Sequence, residues 1–446
     1  MEDQQYRGSY IAGFELFEKS LNGESASPLH AVRREAIARF ASVGFPTVRH
    51  EEWRFTNVAP IARTAFAPVL RYDGAGVTRQ VLNRVGSADG DPFMVVFVNG
   101  FWSEEFSRSA GLPAGVRIES LASALARRDE VVLSRLGSLV AAGENGFTAL
   151  NTAFLREGAV ITVEDRVILE RPIQVVFLSR PSAEPHASYP RVLVTAGRES
   201  RLSLIETYAS VSEGVYFDDA VTEVVLGEGA VVEHDRLQIE STQAFHIATM
   251  AVRQERGSNF SSNAVSLGGA IARNTVTAVL AGEGCECTLN GLTLAAGTQL
   301  IDNHTVIDHA APHCTSHELY KSILDGKSRG VFNGKIFVRA GAQKTDAKQT
   351  NKTILLSADA TINTKPQLEI FADDVKCTHG ATVGQLNEEQ LFYLRARGIG
   401  EEEARDMLTF AFAADVVSRI HAAPFRDQLD RLLRARLQAG RIATES

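Results

Sequence analysis

The longest patterned stretch of the chain runs from about residue 157 to residue 384, and it alternates short apolar segments with turns. The segments are rich in Val, Ile, Thr and Leu, and Gly, Asn and Asp separate them. Turn glycines recur 25 to 30 residues apart, at Gly197, Gly227, Gly257 and Gly282. This repeat length indicates stacked coils of one solenoid. Because the strict hexapeptide repeat of left-handed β-helices is missing, the pattern predicts a mainly β fold with a right-handed parallel β-helix core.

Helical patterns precede this stretch. Apolar residues at helical spacing predict a helix over 31–43, which Gly44 and a following proline end. A run of Ala, Leu and Arg predicts a second helix over 121–139, and six apolar residues predict a strand over 93–98. The first 150 residues are therefore expected to form a mainly helical domain.

Helical patterns also follow the β-rich stretch. Asn387 is a suitable cap for a helix over 388–397, and two further helices are predicted after Gly400. The middle one is apolar on more of its circumference than one buried stripe requires, which favours contact with two partners. A C-terminal bundle packed only on its own chain is the alternative that the sequence leaves open. The predicted division is an N-terminal mainly helical domain (1–150), a parallel β-helix core (151–385) and a C-terminal helical domain (386–446).

Composition fits a globular protein in a reducing compartment. The 446 residues are 44% hydrophobic and 22% charged, and the net charge of -8 disfavours nonspecific binding to nucleic acid or anionic membranes. The sequence has no apolar run of about 18 residues and no signal-like first segment, so a cytoplasmic location is expected. Four cysteines in so long a chain predict free thiols rather than a disulfide framework.

The candidate chemistry centres on Cys377 and His379. A thiolate and an imidazole are both metal ligands, and residues two apart on a strand project from the same face. Two ligands are fewer than a closed zinc or iron–sulfur site takes, which predicts a site shared with a second chain. The alternative is ordinary packing of a buried cysteine, and the spacing alone leaves it open.

A second group of metal-ligand residue types falls within fourteen positions: His304, His309, His313, Cys314 and His317. Strand alternation is expected to divide these residues between opposite faces. A dedicated metal site here is therefore disfavoured, although the sequence does not assign the group another role.

Several motifs resemble the SufB/SufD family of the SUF iron–sulfur cluster assembly machinery. They lie at 51–56 (Glu-Glu-Trp-Arg-Phe-Thr), 303–305, 334–336, 345–349, 373–381 and 391–398. The Lys-Cys-x-His-Gly-Ala segment resembles the SufD branch more than the SufB branch. The resemblance covers most of the chain and implies helical domains on either side of a right-handed parallel β-helix.

The family resemblance also implies partners and site residues. It implies pairing with a SufB-type subunit through the β-helix and docking of a SufC-type ABC ATPase on the C-terminal helices, with a homodimer possible in isolation. His379 matches the position implicated as a ligand of a transient iron–sulfur cluster shared with SufB, and Cys377 matches the neighbouring cysteine, whose role is less defined.

No catalytic motif is complete in the sequence. Gly326-Lys327-Ser328 resembles the end of a phosphate-binding loop, but the first glycine of that motif would fall at position 321, which is Lys. ATP chemistry is therefore expected in a partner, and the chain itself is expected to be noncatalytic. Two alternatives remain: a SufB-like scaffold paralogue, and a carbohydrate-active β-helix enzyme using Asp373 and Asp374. The second is disfavoured because adjacent strand residues point to opposite faces.

Overall fold

The computed structural model describes residues 2–21, 27–86 and 91–442, and two large β-sheets dominate it. Within the described ranges one sheet has 11 strands and the other has ten. The first sheet contains β1 (Ala67–Pro68), β4 (Val116–Ser120), β5 (Gly158–Val163), β7 (His186–Ser188), β8 (Arg191–Ala196), β10 (Phe217–Leu226), β12 (Phe245–Gln254), β14 (Ile271–Leu280), β16 (Leu300–His309), β18 (Arg329–Val338) and β20 (Thr361–Ile370). The second contains β2 (Phe93–Val98), β3 (Phe101–Trp102), β6 (Ile173–Ser179), β9 (Arg201–Ser210), β11 (Val231–Ile239), β13 (Asn259–Ser266), β15 (Glu286–Ala295), β17 (Thr315–Leu324), β19 (Asp346–Leu355) and β21 (Lys376–Gly384).

Each coil of the chain contributes one strand to each sheet. From β8 onward the even-numbered strands follow one another across the first sheet, and from β9 the odd-numbered strands follow one another across the second. These neighbours are parallel. Phe217 lies beside Phe245 and Ile271 beside Leu300, so one coil takes 28 or 29 residues there. The predicted mainly β fold, a parallel β-helix with helices on both flanks, is confirmed.

Glycines lie where successive coil corners come too close for a side chain. A Cβ at Gly197 would lie 2.6 Å from the backbone nitrogen of Asp165, and one at Gly227 would lie 2.9 Å from that of Arg198. Gly257 has a φ of +64°, a conformation that residues with a side chain rarely adopt. The glycine spacing in the sequence therefore marks the stacked turns.

Helices of 5 to 19 residues and one 3-10 turn accompany the first coils. They are α1 (Glu2–Ser20), α2 (Pro28–Val43), a 3-10 turn (Glu51–Trp53), α3 (Ala59–Arg63), α4 (Arg79–Val85), α5 (Leu121–Ala126), α6 (Glu130–Arg135) and α7 (Gly146–Ala153). An aromatic cluster that includes Phe14, Phe40 and Phe147 packs on the outer face of the first sheet through Phe217 and Phe245. Burying these rings fixes the N-terminal helices to the solenoid.

The local predictions for this region were mostly right. α2 and β2 confirm the predicted helix over 31–43 and the strand over 93–98. The single helix predicted over 121–139 is wrong, because Arg128 turns to a φ of +56° and the Asp129 side chain caps a new helix. β2 pairs with β6, so the first 150 residues extend the solenoid with strands as well as helices.

Three helices follow the last coil: α8 (Glu388–Ala396), α9 (Glu401–Val417) and α10 (Ala423–Ile442). Asn387 caps α8 as predicted, accepting a hydrogen bond from the Gln390 N–H at 3.0 Å. α9 and α10 bury Val416, Phe425 and Leu429 against the outer face of the second sheet. Much of their broad apolar surface is therefore used within the chain. Among the helices described, none is both long and apolar enough to cross a bilayer.

Candidate functional site

Cys377 and His379 lie on β21, the last strand of the second sheet. Cys377 is in register with Ala347 of β19, and His379 is in register with Gln349. The two side chains project from one face of the strand because they are two residues apart. The structure therefore places the two predicted ligands side by side at the end of the solenoid.

The position of Gln349 shows which face this is. Its Nε2 donates to Oε2 of the buried Glu318 at 2.5 Å, and a Cβ added to Gly334 of the opposite sheet would overlap it. Gln349 thus lies between the two sheets, and the row that contains Cys377 and His379 faces the interior of the last coil. Glycine at position 334 leaves room for the Gln349 side chain. This contact connects the sequence motifs at 334–336 and 345–349.

The two candidate ligands have different surroundings. Cys377 is half-buried and packs against an apolar cluster that includes Ile336, Val338 and Ala347. Burial raises the pKa of the Cys377 thiol, so the thiolate that binds metals needs a metal ion or another cation beside it. His379 is exposed, and its imidazole is accessible from outside the chain.

The end of the solenoid that carries these residues is open. In the described part of the chain, β20 pairs only with β18 and β21 only with β19, so each strand has one free edge. The side chains of Ile370, Phe371 and Val383 expose apolar surface at this end. Free strand edges beside exposed apolar side chains are characteristic of a surface that another chain covers.

The structure separates the second candidate group, namely His304, His309, His313, Cys314 and His317. His304 lies on the outer face of the first sheet, 3.4 Å from Glu52, whereas His309 points inward, 2.9 Å from Ser316 Oγ. Cys314 is buried in a turn, and the other two residues are exposed. Among the residues described, none of the five belongs to a group placed to hold a metal ion.

The motif at 51–56 fixes the N-terminal region to the first sheet. Thr56 Oγ1 donates to Oδ2 of the buried Asp302 at 2.5 Å, and the Arg273 guanidinium lies 3.8 Å from the Trp53 ring centroid. Arg273 also pairs with Asp302 at 2.6 Å, which compensates both buried charges. This motif, together with His304, therefore has a structural role.

Comparison with known families agrees with this geometry. The family model for the SufBD protein N-terminal region matches residues 4–175, and the model for the SUF system FeS cluster assembly SufBD core domain matches residues 177–412. The chain belongs to the SufBD family. Iron–sulfur cluster assembly is therefore the process in which this SufBD chain takes part.

Individual SufBD relatives match over nearly the whole chain. A SufBD family protein of Synechocystis is 33% identical over 92% of this chain and 91% of its own length. The iron–sulfur cluster assembly protein SufD of Escherichia coli is 28% identical over 95% and 96%. Protein ABCI7 of Arabidopsis thaliana, a chloroplast protein, is 31% identical over 93% and 88%.

Two motifs of this SufBD chain that were weighed for catalysis lie in turns. Gly326, Lys327 and Ser328 connect β17 to β18, so they precede a strand and not the helix that a phosphate-binding loop requires. Asp373 and Asp374 lie in the exposed turn before β21, and Asp374 forms an ion pair with Lys344. Because the two aspartates lie in a turn, the strand alternation that was expected to separate them does not apply, and the ion pair with Lys344 is the structural role seen for Asp374.

Sequence reasoning missed a buried polar cluster inside the SufBD solenoid. Asp218 of β10 is in register with His246 of β12, and Glu240 joins them from the corner after β11. The Nδ1 atom of His246 lies 2.8 Å from Oε2 of Glu240, and Arg236 contacts Nε2 of the same ring. All four residues are buried. The only sequence signal is the coil period, because 28 residues separate Asp218 from His246.

Burial dominates the electrostatics of this cluster. Burial, and then the charge of Glu240, raise the pKa of Asp218 to about 7, and burial also raises the pKa of Glu240. Burial, and then Arg236, lower the pKa of His246 to about 3, so its ring is neutral. The cluster therefore presents two carboxyl groups and one neutral imidazole in a site closed to water.

Proposed function

We propose that this chain is the SufD-type, noncatalytic subunit of a cytoplasmic iron–sulfur cluster assembly complex. In this proposal the open end of its solenoid pairs with a SufB-type subunit, and His379 and Cys377 hold a transient iron–sulfur cluster together with ligands from that partner. The observation that carries the proposal is that the solenoid ends on a free strand edge where both ligand side chains line the interior face.

The ligand count supports a shared site. Iron–sulfur clusters are held by about four protein ligands, and this edge offers two. A second chain that covered the edge would add its ligands directly opposite Cys377 and His379. It would also exclude water from the half-buried thiol, and the cluster iron would replace the thiol proton.

The two free edges differ in their ability to accept a partner strand. Pro366 interrupts β20 and lacks a backbone N–H, so β20 cannot form a complete hydrogen-bond ladder. β21 contains no proline and offers every N–H and C=O along its free edge. Strand addition is therefore proposed at β21, directly beside the ligand pair.

The first prediction tests this interface with a matched pair of substitutions. Phe371→Asp places a charge on a side chain that is 61% exposed at the open end, whereas Ile168→Asp changes one that is 64% exposed among the first coils. Since a charge buried without a partner opposes association, Phe371→Asp is expected to weaken binding of the SufB-type subunit at least about tenfold. Ile168→Asp should bind normally in the same titration. Equal binding by both variants would place the interface elsewhere.

The ATPase-docking surface is proposed on α8. α9 and α10 use much of their apolar surface against the second sheet, although Met407 of α9 is 46% exposed, whereas α8 exposes Phe392 (73%) and Tyr393 (57%) on neighbouring positions. Exposed aromatic side chains on a short helix are typical anchors of a protein interface. We infer that a SufC-type ATPase contacts these two rings.

The second prediction removes both anchors. The double variant Phe392→Ala, Tyr393→Ala is expected to bind the SufC-type ATPase at least about tenfold more weakly, because two exposed aromatic contacts are lost while the buried helices stay intact. Leu16→Ala is the control, since Leu16 is a 52% exposed side chain on α1. The measurement is the affinity of the ATPase by calorimetry, with circular dichroism to check the fold. Unchanged affinity of the double variant would exclude α8 as the docking surface.

A further inference from the structure

We propose that the interior of the solenoid holds a divalent first-row transition-metal ion on Asp218, Glu240 and His246. One ligand atom from each of these residues lies within 4.8 Å of the other two, and all three side chains are buried. Two carboxylates and one imidazole form an oxygen and nitrogen donor set that suits Mn²⁺, Fe²⁺, Co²⁺ or Zn²⁺. The site is distinct from the strand edge at His379, because five strand spacings of about 4.8 Å separate β11 from β21.

Unpartnered atoms point to a missing ligand. Glu240 Oε1 and His246 Nδ1 are buried without a hydrogen bond of standard geometry to a described residue. His246 Nδ1 faces the Glu240 carboxylate at 2.8 Å, and the Asp218 carboxyl and the Tyr216 hydroxyl lie within reach of the same carboxylate. Buried polar atoms in native proteins are nearly always paired, so each exception requires an explanation. A metal ion between these atoms supplies the partner for both.

The side chains behind the candidate ligands hold them in place. The hydroxyl groups of Ser179 and Ser188 both donate to the Asp218 carboxylate, the first at 2.8 Å. Gln238 Nε2 donates to Glu240 Oε2 at 2.8 Å. Such outer hydrogen bonds orient the ligands in known metal sites, and their loss typically weakens metal binding about 10–100-fold.

Arg236 is a neighbour that opposes the ion. Its guanidinium contacts His246 Nε2 and also donates to Asn274 Oδ1. When His246 binds a metal through Nδ1, its Nε2 carries the proton and needs an acceptor, whereas Arg236 offers only donors. Metal binding therefore requires Arg236 to release the ring. Glu206, a buried carboxylate that accepts hydrogen bonds from Tyr208 and Thr222, lies within electrostatic range of the guanidinium.

Cobalt is the probe for this site. The full chain is produced in medium supplemented with Co²⁺, treated with EDTA, and analysed for cobalt by mass spectrometry and for ligand-field absorption. We expect about one Co²⁺ per chain that resists EDTA, with a spectrum free of sulfur-to-cobalt charge transfer. Less than a tenth of a cobalt ion per chain, or a spectrum with sulfur ligation, would overturn the proposal.

Variants separate this site from the strand edge. Asp218→Asn and Glu240→Gln keep hydrogen bonding but remove a carboxylate ligand, so each is expected to retain at least tenfold less cobalt. Two variants are used so that one that fails to fold does not decide the test. The double variant Cys377→Ala, His379→Ala should retain cobalt as the wild type does. Full cobalt retention by a folded Asp218→Asn or Glu240→Gln variant would refute the assignment.

Arg236→Gln distinguishes metal binding from a purely structural network. Glutamine supplies a carbonyl oxygen that accepts the Nε2 proton of His246, so this variant is expected to retain at least as much cobalt as the wild type and to lose it more slowly to EDTA. If the cluster were only a packing network, Arg236→Gln would retain no cobalt, and that result would count against the site.

Discussion

Replacing His379 by Ala is expected to lower the iron and sulfide content of the co-expressed assembly complex to a small fraction of the wild-type content, while the complex still forms. The imidazole lies on the interior face of the terminal coil, and alanine removes the proposed nitrogen ligand without adding charge. Loss of a group behind a metal ligand typically costs about 10–100-fold in affinity, and loss of the ligand itself should reach the upper end of that range. The measurement is iron and sulfide per purified complex.

Assembly of the complex should survive this substitution. His379 is exposed, so its truncation removes little intramolecular packing and leaves no cavity. The melting temperature of the His379→Ala complex is therefore expected to match that of the wild type. A large drop in melting temperature would show that His379 stabilises the interface instead, and unchanged iron content would eliminate its role as a ligand.

Cys377→Ala is the matched comparison on the same strand face. Cys377 is half-buried against Ile336 and Val338, so alanine is expected to destabilise the last coil modestly whether or not the thiol binds iron. Equal losses of iron in the two variants would assign both residues to the cluster. A smaller loss with Cys377→Ala would assign the thiol to packing and leave His379 as the ligand from this chain.

Glu318→Gln is expected to stabilise the chain by about 3 kcal/mol above pH 7 and to have no such effect near pH 4. Burial raises the pKa of Glu318 to about 7 in the folded state, against 4.5 for the free side chain. The folded chain therefore holds this proton more tightly than the unfolded chain does. As the pH rises from about 4.5 to 7 the unfolded state ionises first, so the wild type loses stability until the folded group ionises as well.

The surroundings of Glu318 make glutamine a close substitute. Gln349 Nε2 donates to the carboxyl group, Thr305 lies within hydrogen-bonding reach, and the nearby Cys287 and Tyr320 stay neutral because burial raises the pKa of each. The amide keeps the volume and can accept from Gln349.

The measurement is the urea midpoint of wild type and variant at several pH values. Burial also raises the pKa of Asp235 to about 6, which adds its own pH dependence to the stability. That contribution is the same in wild type and variant, so it cancels in the difference between their stabilities. Glu283→Gln, at an exposed corner, is the control and should run parallel to the wild type. A difference between wild type and Glu318→Gln that does not change with pH would contradict the predicted proton linkage.

Local chemistry in the sequence was sufficient to predict that Cys377 and His379 share one strand face but not the setting of that face. The Cys-x-His spacing put both side chains on one strand face, and the structure agrees, because that alternation is a property of any extended segment. The contact between Gln349 and Gly334, which belong to different sheets, identifies the shared face as the interior one. The sequence shows neither the contact between these two residues nor the free edge of β21.

The sequence alone was sufficient to predict the solenoid and its flanking helices, from the repeat length, the turn glycines and the helix caps. These signals act between residues close in the chain, where backbone geometry fixes the outcome. Only the tertiary structure decided that Asp218 faces His246 and that Glu240 reaches both from a corner. Coil lengths vary from turn to turn, and a shift of one residue in strand register turns every side chain to the other face of the sheet. Contacts between coils therefore depend on the register of the packed strands and cannot be read from residue spacing along the chain.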